Sequence, residues 1–263
     1  MAAFLPITLT IGGSDSGGGA GVQADLKTFC ALGVHGTSAI TCLTAQNPKG
    51  VRGIQACSPE ILRQQIEAVF AELKPAAVKT GMLFSKPLIR VVAEQFHRRN
   101  APPLVVDPVM IATSGARLLK PSAIAALQTE LLPLAALVTP NLDEAEILVG
   151  GKLSSIEDLR TAAKEIHARF GCAALVKGGH LRGLAEAVDI FYDGKIELLL
   201  TAPFVRGVNT HGTGCTYSAA ITAGLARGLK LPEAVFAGKE FITNAIANSQ
   251  RVGKHFVLNW NRP

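Results

Sequence analysis

Between His211 and Cys215 the chain reads His-Gly-Thr-Gly-Cys and runs directly into the helix-forming stretch Thr216–Ile221. Two glycines, a small hydroxyl residue and a cysteine at a helix start can turn several backbone N–H groups toward one point, where the positive end of the helix dipole adds to them. A phosphate, or a phosphoryl group in transfer, is the natural guest of such a turn. A second glycine-rich turn lies near the N-terminus, Gly12-Gly13-Ser14-Asp15-Ser16-Gly17-Gly18-Gly19-Ala20-Gly21. Two such loops at opposite ends of one chain suggest a kinase.

An alternation of strand-like and helix-like segments must position these loops. Short β-branched or apolar runs at Ile7–Gly12, Thr37–Ala45, Ala76–Met82, Leu104–Asp107, Leu137–Thr139 and Ala173–Lys177 read as buried strands. Between them, helices are expected at Val22–Leu32, from Ser58-Pro59-Glu60 to about Lys74, and at Lys86–Arg99, Ser122–Leu132, Leu142–Val149 and Ile156–Phe170. The regularity breaks once, where Val188–Tyr192 and Ile196–Leu200 flank Asp193-Gly194 as a β-hairpin. Two further helices follow, one to about Arg227 and one from Pro232 to about Asn248. This order predicts an α/β protein with a doubly wound, mostly parallel sheet covered on both faces, its ligands at the carboxyl ends of the strands. No linker or repeat divides the chain, so one domain over residues 1–263 is expected.

Composition narrows the class. Hydrophobic residues make up 48% and aromatics only 5% of the 263 residues, a balance suited to Ala/Val/Leu/Ile-rich helices and parallel strands. No apolar run approaches the roughly 18 residues of a membrane-spanning helix, and Met-Ala-Ala-Phe-Leu-Pro lacks the basic start of a signal peptide. The five cysteines, Cys30, Cys42, Cys57, Cys172 and Cys215, are scattered without a Cys-x-x-Cys pair, which points away from a zinc site or disulfide framework and toward a reducing cytoplasm. The net charge of +6 is dispersed. It fits an anionic small-molecule ligand better than nucleic acid, and no membrane partner is expected.

Familiar nucleotide templates fit poorly. The first loop does not carry G-x-G-x-x-G in its usual place, and the next strand ends in Gln46-Asn47 without an acid for a ribose. Neither Gly151-Lys152 nor Gly253-Lys254 completes a Walker loop. Over nearly the whole chain, however, a series of segments resembles the ribokinase-like superfamily, and within it the hydroxymethylpyrimidine/phosphomethylpyrimidine kinases. These are Thr10–Lys27, Thr44-Ala45-Gln46-Asn47, Lys79-Thr80-Gly81-Met82, Val106-Asp107-Pro108-Val109-Met110, Thr139–Ala145, Lys177-Gly178-Gly179 and the His211–Cys215 loop. The resemblance implies a ribokinase-like three-layer α/β/α fold. It also implies phosphorylation of 4-amino-5-hydroxymethyl-2-methylpyrimidine, then of its monophosphate, in thiamine biosynthesis, with ATP and Mg²⁺. Homodimers are common in the family. A pyridoxal/pyridoxine kinase of the same fold and a non-catalytic pyrimidine-binding regulator are the alternatives.

Roles are then expected residue by residue. The Gln46 amide can accept from an exocyclic amine and donate to the adjacent ring nitrogen, as Gln reads adenine; a solvated strand-end Gln is the bland reading. Asp25, one turn into the first helix, either meets a ligand or favours the dipole. Met82 and Val109 offer apolar walls for a flat ring or simply pack in the core, and Gly13 and Ala20 join the substrate set by resemblance. Asn141 and Glu144 form an N-x-x-E pattern that the superfamily uses near Mg²⁺ and phosphate, yet the same spacing is close to a capping box. Asp107 is a further influence on the metal, through water. Lys177 reaches nucleotide phosphate by resemblance, although a strand-end lysine is otherwise a surface group. Thr210 and His211 line the nucleotide site or are ordinary loop residues. Gly212, Thr213 and Gly214 form the anion hole. Cys215 stands where the wider superfamily carries an Asp base; at a helix N-terminus its thiol pKa is expected to fall, making a thiolate proton acceptor.

Overall fold

A computed structural model of the chain describes residues 4–97, 100–110, 119–179, 181, 184–205, 207–208 and 211–261. Buried strands with apolar side chains on both faces build its centre. Leu104 and Val106 pack into one core and Val105 into the other; Ala174 and Val176 face away from Ala173 and Leu175 in the same way. That period-2 split is what a sheet covered by helices on both sides requires.

In chain order the elements are β1 (Ile7–Gly13), α1 (Gly21–Ala31), β2 (His35–Asn47), β3 (Gly50–Ala56), α2 (Pro59–Glu72), β4 (Ala77–Thr80), α3 (Lys86–Phe96), β5 (Leu104–Val106), α4 (Pro121–Ala126), β6 (Leu137–Val138), α5 (Leu142–Val149), α6 (Ile156–Phe170), β7 (Ala173–Lys177), β8 (Glu186–Tyr192), β9 (Glu197–Pro203), α7 (Thr213–Ala226), α8 (Leu231–Ala247), β10 (Gln250–Val252) and β11 (His255–Val257). Strands β1 to β9 form one sheet in the order β3-β2-β1-β4-β5-β6-β7-β8-β9. Strands β2, β1, β4, β5, β6 and β7 run parallel, while β3, β8 and β9 add antiparallel edges. Side chains of α2 to α6 fill the core on one face, and those of α7 and α8 fill the core on the other; α1 packs against α7. Because the chain leaves β1 toward β2 and returns on its other side to β4, a crevice opens at the carboxyl ends of β1 and β4.

The three-layer α/β/α expectation holds, with several differences at the edges. The predicted hairpin is present as β8 and β9, but it extends the main sheet. Strand β3 was not expected: Val51-Arg52-Gly53-Ile54-Gln55 is exposed and lacks the apolar alternation of a half-buried strand. The helix expected at Ser122–Leu132 is α-helical only to Ala126 and widens into a π turn over Leu127–Leu131. Pro133 supplies no N–H to continue an α-helical ladder there. The helix expected to reach Arg99 ends at Phe96, with residues 98 and 99 outside the described set. The C-terminal segment, motif-free as sequence, closes the structure over α7. Leu258 is buried, and the Trp260 Nε1–H donates to Thr216 Oγ1 at 3.2 Å while Lys27 Nζ lies 4.5 Å from the indole centroid.

Candidate active site

The carboxyl ends of β1, β4, β5, β6 and β7 open into a cleft of about 580 Å³, lined by both glycine loops. The first loop is organised by a residue for which the sequence indicated no role. Asp15, 2% exposed, accepts from the N–H groups of Gly17 (2.8 Å), Gly19 (3.1 Å) and Ala20 (2.8 Å) and lies 3.1 Å from His211 Nε2. Burial alone would raise its pKa; the bond to His211 and the backbone donors outweigh it and hold the carboxyl below its ordinary range. The two glycine loops meet backbone to backbone. Gly212 adopts φ +82°, and a Cβ there would lie 1.8 Å from the Gly19 carbonyl oxygen. Only glycine fits that contact.

Gly212 caps α7, whose first turn is Thr213, Gly214 and Cys215. Lys177 Nζ would lie 3.3 Å from a Cβ on Gly214, so its ammonium stands at the anion loop. It pairs with Asp107 at 3.4 Å, and its side chain is only 14% exposed. The surface-lysine reading therefore fails. Burial opposes its charge, but Asp107 and Glu144 more than compensate and its pKa is raised. Asp107 also accepts from Ser218 Oγ at 3.2 Å. Asn141 and Glu144 form a complete capping box on α5: Asn141 Oδ1 accepts from the Glu144 N–H at 2.9 Å, and Glu144 Oε2 from the Asn141 N–H at 3.0 Å. The box does not exhaust Glu144, which lines the cleft and whose Oε1 takes the buried Met110 N–H at 3.0 Å. Burial raises its carboxyl to about 7 despite Lys177, with Asp107 adding to the rise.

Beneath this lies a buried ion pair. Lys79, on the apolar strand β4, is fully buried and reaches Asp25 Oδ2 at 3.0 Å, where Thr10 Oγ1 also donates at 2.6 Å. Asp25 is thus a paired, buried carboxylate rather than a dipole-compensating surface acid. Its Oδ1 finds no partner among the described residues, and it lines the cleft. Burial raises its pKa against the pull of Lys79, whereas Asp25, Cys215 and Asp107 keep the lysine charged, its pKa raised despite burial.

Cys215 departs from expectation. Burial pushes its thiol from the ordinary 9.0 up to about 12, although Lys79 pulls it down; Asp25 and Asp107 push it up further. That rise corresponds to about 4 kcal/mol, more than the upper range of about 2 kcal/mol for a charge at a helix terminus. Desolvation wins, and the resting residue is a thiol.

On the β1–β2 side, Gln46, Met82, Val109, Gly13 and Ala20 line the same cleft. Gly13 allows close packing: a Cβ there would lie 2.8 Å from Cys42 Sγ and 2.9 Å from Met82 Cε. Val109 holds φ +41°, a left-handed conformation that a β-branched residue adopts only under strain. The Gln46 amide lies 3.3 Å from both His211 Nε2 and Thr44 Oγ1. His211 therefore sits between the glycine loop and Gln46. Thr210 lies outside the described residues.

The far lobe of the cleft holds groups that no sequence motif marked. Lys239 on α8 pairs with Asp189 on β8 at 2.7 Å, and the buried Tyr217 hydroxyl finds no partner among the described residues. They sit on α7, α8 and β8, and only tertiary packing brings them together. Lys79 did carry a signal, since a lysine inside an apolar strand demands a buried anion.

A family model described as phosphomethylpyrimidine kinase matches residues 15–259. The chain belongs to the phosphomethylpyrimidine kinase family. It is similar, at 51% identity over 247 residues, to a hydroxymethylpyrimidine/phosphomethylpyrimidine kinase of Rhizobium meliloti, covering 94% of this chain and 92% of that one. It is 46% identical to the thiamine biosynthesis bifunctional protein ThiED of Geobacter sulfurreducens, of which the match covers 50% and 94% of this chain. Among solved structures, a Staphylococcus aureus pyridoxal kinase in complex with AMP-PCP and pyridoxal superposes with a TM-score of 0.86 at 36% identity, covering 97% of this chain and 93% of that one. The protein is a kinase. Architecture alone does not separate pyrimidine from pyridoxal kinases, so the substrate must be read from side chains.

Proposed function

We propose that this kinase transfers the γ-phosphoryl group of ATP to the hydroxymethyl oxygen of 4-amino-5-hydroxymethyl-2-methylpyrimidine, and then a second phosphoryl group onto the resulting monophosphate, in thiamine biosynthesis. The observation that carries this reading is one continuous cleft joining Gln46 and Asp25 to the Gly212–Gly214 turn and Lys177. An aminopyrimidine held by Gln46 between Met82 and Val109 faces the anion loop from one side. ATP enters the other lobe, past Asn141, Lys177 and Tyr217. Phosphoryl transfer passes through a loose transition state, so positioning and charge do most of the work. The N–H groups at the α7 N-terminus and the Lys177 ammonium stabilise the transferring group. Cys215 rests as a thiol and does not take the hydroxymethyl proton, which leaves late in the transfer to a phosphoryl oxygen or to solvent.

Asp107 and Glu144 bring hard oxygen donors to the edge of the phosphate region, a set suited to Mg²⁺ bound largely through water. The ion would neutralise phosphate charge there. The protein works in the cytoplasm, a location supported by five free cysteines. It pairs as a homodimer; the exposed β2–β3 hairpin, with Leu43 on one face and Ile54 on the other, offers apolar contacts for a second copy. Sedimentation equilibrium checks the pairing.

The decisive assay offers purified protein ATP and Mg²⁺ with the hydroxymethylpyrimidine, its monophosphate and pyridoxal in parallel. Turnover of both pyrimidines in preference to pyridoxal is expected. Preference for pyridoxal would move the protein to the other branch of the fold, and no turnover on any substrate would favour the binding-protein reading.

A further inference from the structure

We propose that His211 is a positioning residue that fixes the orientation of the Gln46 amide, so that this side chain presents one donor–acceptor pattern to the substrate. The inference rests on the reading of Gln46 as the group that recognises the aminopyrimidine. It starts from hydrogens that must be placed consistently. Asp15 Oδ2 lies 3.1 Å from His211 Nε2 and already accepts from the N–H groups of Gly19 and Ala20. Its carboxyl is held ionised by those partners. An imidazole nitrogen at that distance from a carboxylate must carry its hydrogen, since two lone pairs would repel.

The same Nε2 lies 3.3 Å from the Gln46 amide nitrogen as placed, with the amide oxygen toward Thr44 Oγ1, but a half-turn of the amide exchanges the two ends. With the one Nε2 hydrogen shared between Asp15 and the amide, the facing end has to be the oxygen, because an amide nitrogen there would set donor against donor. At the other end the same answer follows independently. Thr44 Oγ1 spends its single hydrogen on the Ser14 carbonyl at 2.7 Å, leaving a lone pair toward the amide end 3.3 Å away. That end has to be the nitrogen. Both neighbours select one orientation, and each leaves one amide valence open. The oxygen keeps a lone pair for an exocyclic amine, and the nitrogen keeps a hydrogen for the adjacent ring nitrogen, the pattern that a 4-aminopyrimidine complements.

His211 is held in its turn. Its ring stands against Gly19, where a Cβ would come within 3.0 Å of Cδ2, and the neighbouring Gly212 presses on the same loop. The phosphate-binding turn and the ring-reading side chain thus share one support, the Asp15 carboxylate. Sequence spacing could not show this, because Asp15, Gln46 and His211 come from three separated segments.

The test is a double-mutant cycle on steady-state kinetics. His211→Phe keeps a ring but removes the Nε2 donor. Its KM for the hydroxymethylpyrimidine is expected to rise about tenfold, the discrimination of one good bidentate contact, with kcat falling far less. His211→Gln returns an N–H donor near the same place and is expected to recover most of the loss. In a Gln46→Ala background, His211→Phe is expected to add almost nothing to KM, because the side chain it orients is gone. An equal rise in KM with and without Gln46, or a collapse of kcat at unchanged KM, would overturn the inference and make His211 a support of the anion loop. If His211→Phe does not fold, the His211→Gln and Gln46→Ala variants and their combination decide the same question: His211→Gln then keeps near-normal KM only if donation is what matters. Wild-type protein that leaves the pyrimidine unphosphorylated would sink the functional reading itself, whereas an active wild type with an unchanged KM in His211→Phe would sink this inference alone.

Discussion

Cys215 offers a quantitative test of how this site works. Half-buried among Asp25, Asp107 and Lys79, its thiol is pushed up to about 12, so at pH 7 the thiolate is a small minority. A correctly protonated general base contributes typically about 10² to 10⁴ in rate; one this scarce supplies little. Removing a donor that faces developing charge costs typically about 10² to 10³. Cys215→Ala is therefore expected to lower kcat by about tenfold or less, and Lys177→Ala by about 10² or more. Two measurements check the reasoning: single-turnover phosphorylation of the pyrimidine by each variant, and ultraviolet titration of thiolate in wild type minus Cys215→Ala. The difference titration cancels Cys30, Cys42, Cys57 and Cys172 and should show no step below about pH 10. A thiolate step near neutrality, together with a Cys215→Ala loss as deep as that of Lys177→Ala, would refute the claim that desolvation outweighs the helix terminus here.

Other outcomes follow from the same geometry. Gly212→Ala drives a methyl to 1.8 Å from the Gly19 carbonyl at a left-handed φ; kcat should fall by about 10² or more, below the Cys215→Ala variant in the same assay. Lys79→Met leaves Asp25 buried and uncompensated and should cost about 3–5 kcal/mol in urea unfolding, most of it recovered in the Lys79→Met/Asp25→Asn double variant. Glu144 titrates at about 7 in the fold against an ordinary 4.5. The folded state therefore holds the proton that the unfolded state releases, and this group's contribution to stability falls as pH rises between those values, by up to about 3 kcal/mol. The wild-type-minus-Glu144→Gln difference in unfolding free energy should show that downward slope from about pH 4.5 to about pH 7 and flatten above it.

The sequence by itself determined the order of the parallel strands and the helices between them from Ile7 to Lys177, because burial on both sheet faces writes apolar runs and helix termini write caps. Ile156–Phe170 is a helix over the expected span, bounded by Ser155 and by Gly171 at φ +77°. The two glycine loops were legible for a related reason, since close backbone approach restricts residue type locally, whereas Lys177 was marked only by the family resemblance, a strand-end lysine being otherwise a surface group. Strand β3 was not legible, since an exposed edge places little demand on its side chains. Whatever depends on the surroundings of an atom was decided only by the tertiary structure. Spacing left Asn141 and Glu144 divided between cap and ligand; folding made them a cap that keeps Glu144 in the cleft. A helix start favoured a thiolate at Cys215, and burial reversed that. Asp15 became the common anchor of both loops only when β1 and α7 came side by side. Local sequence records backbone geometry and hydrophobic period, while pKa, partner choice and amide orientation are set by groups tens to hundreds of residues away.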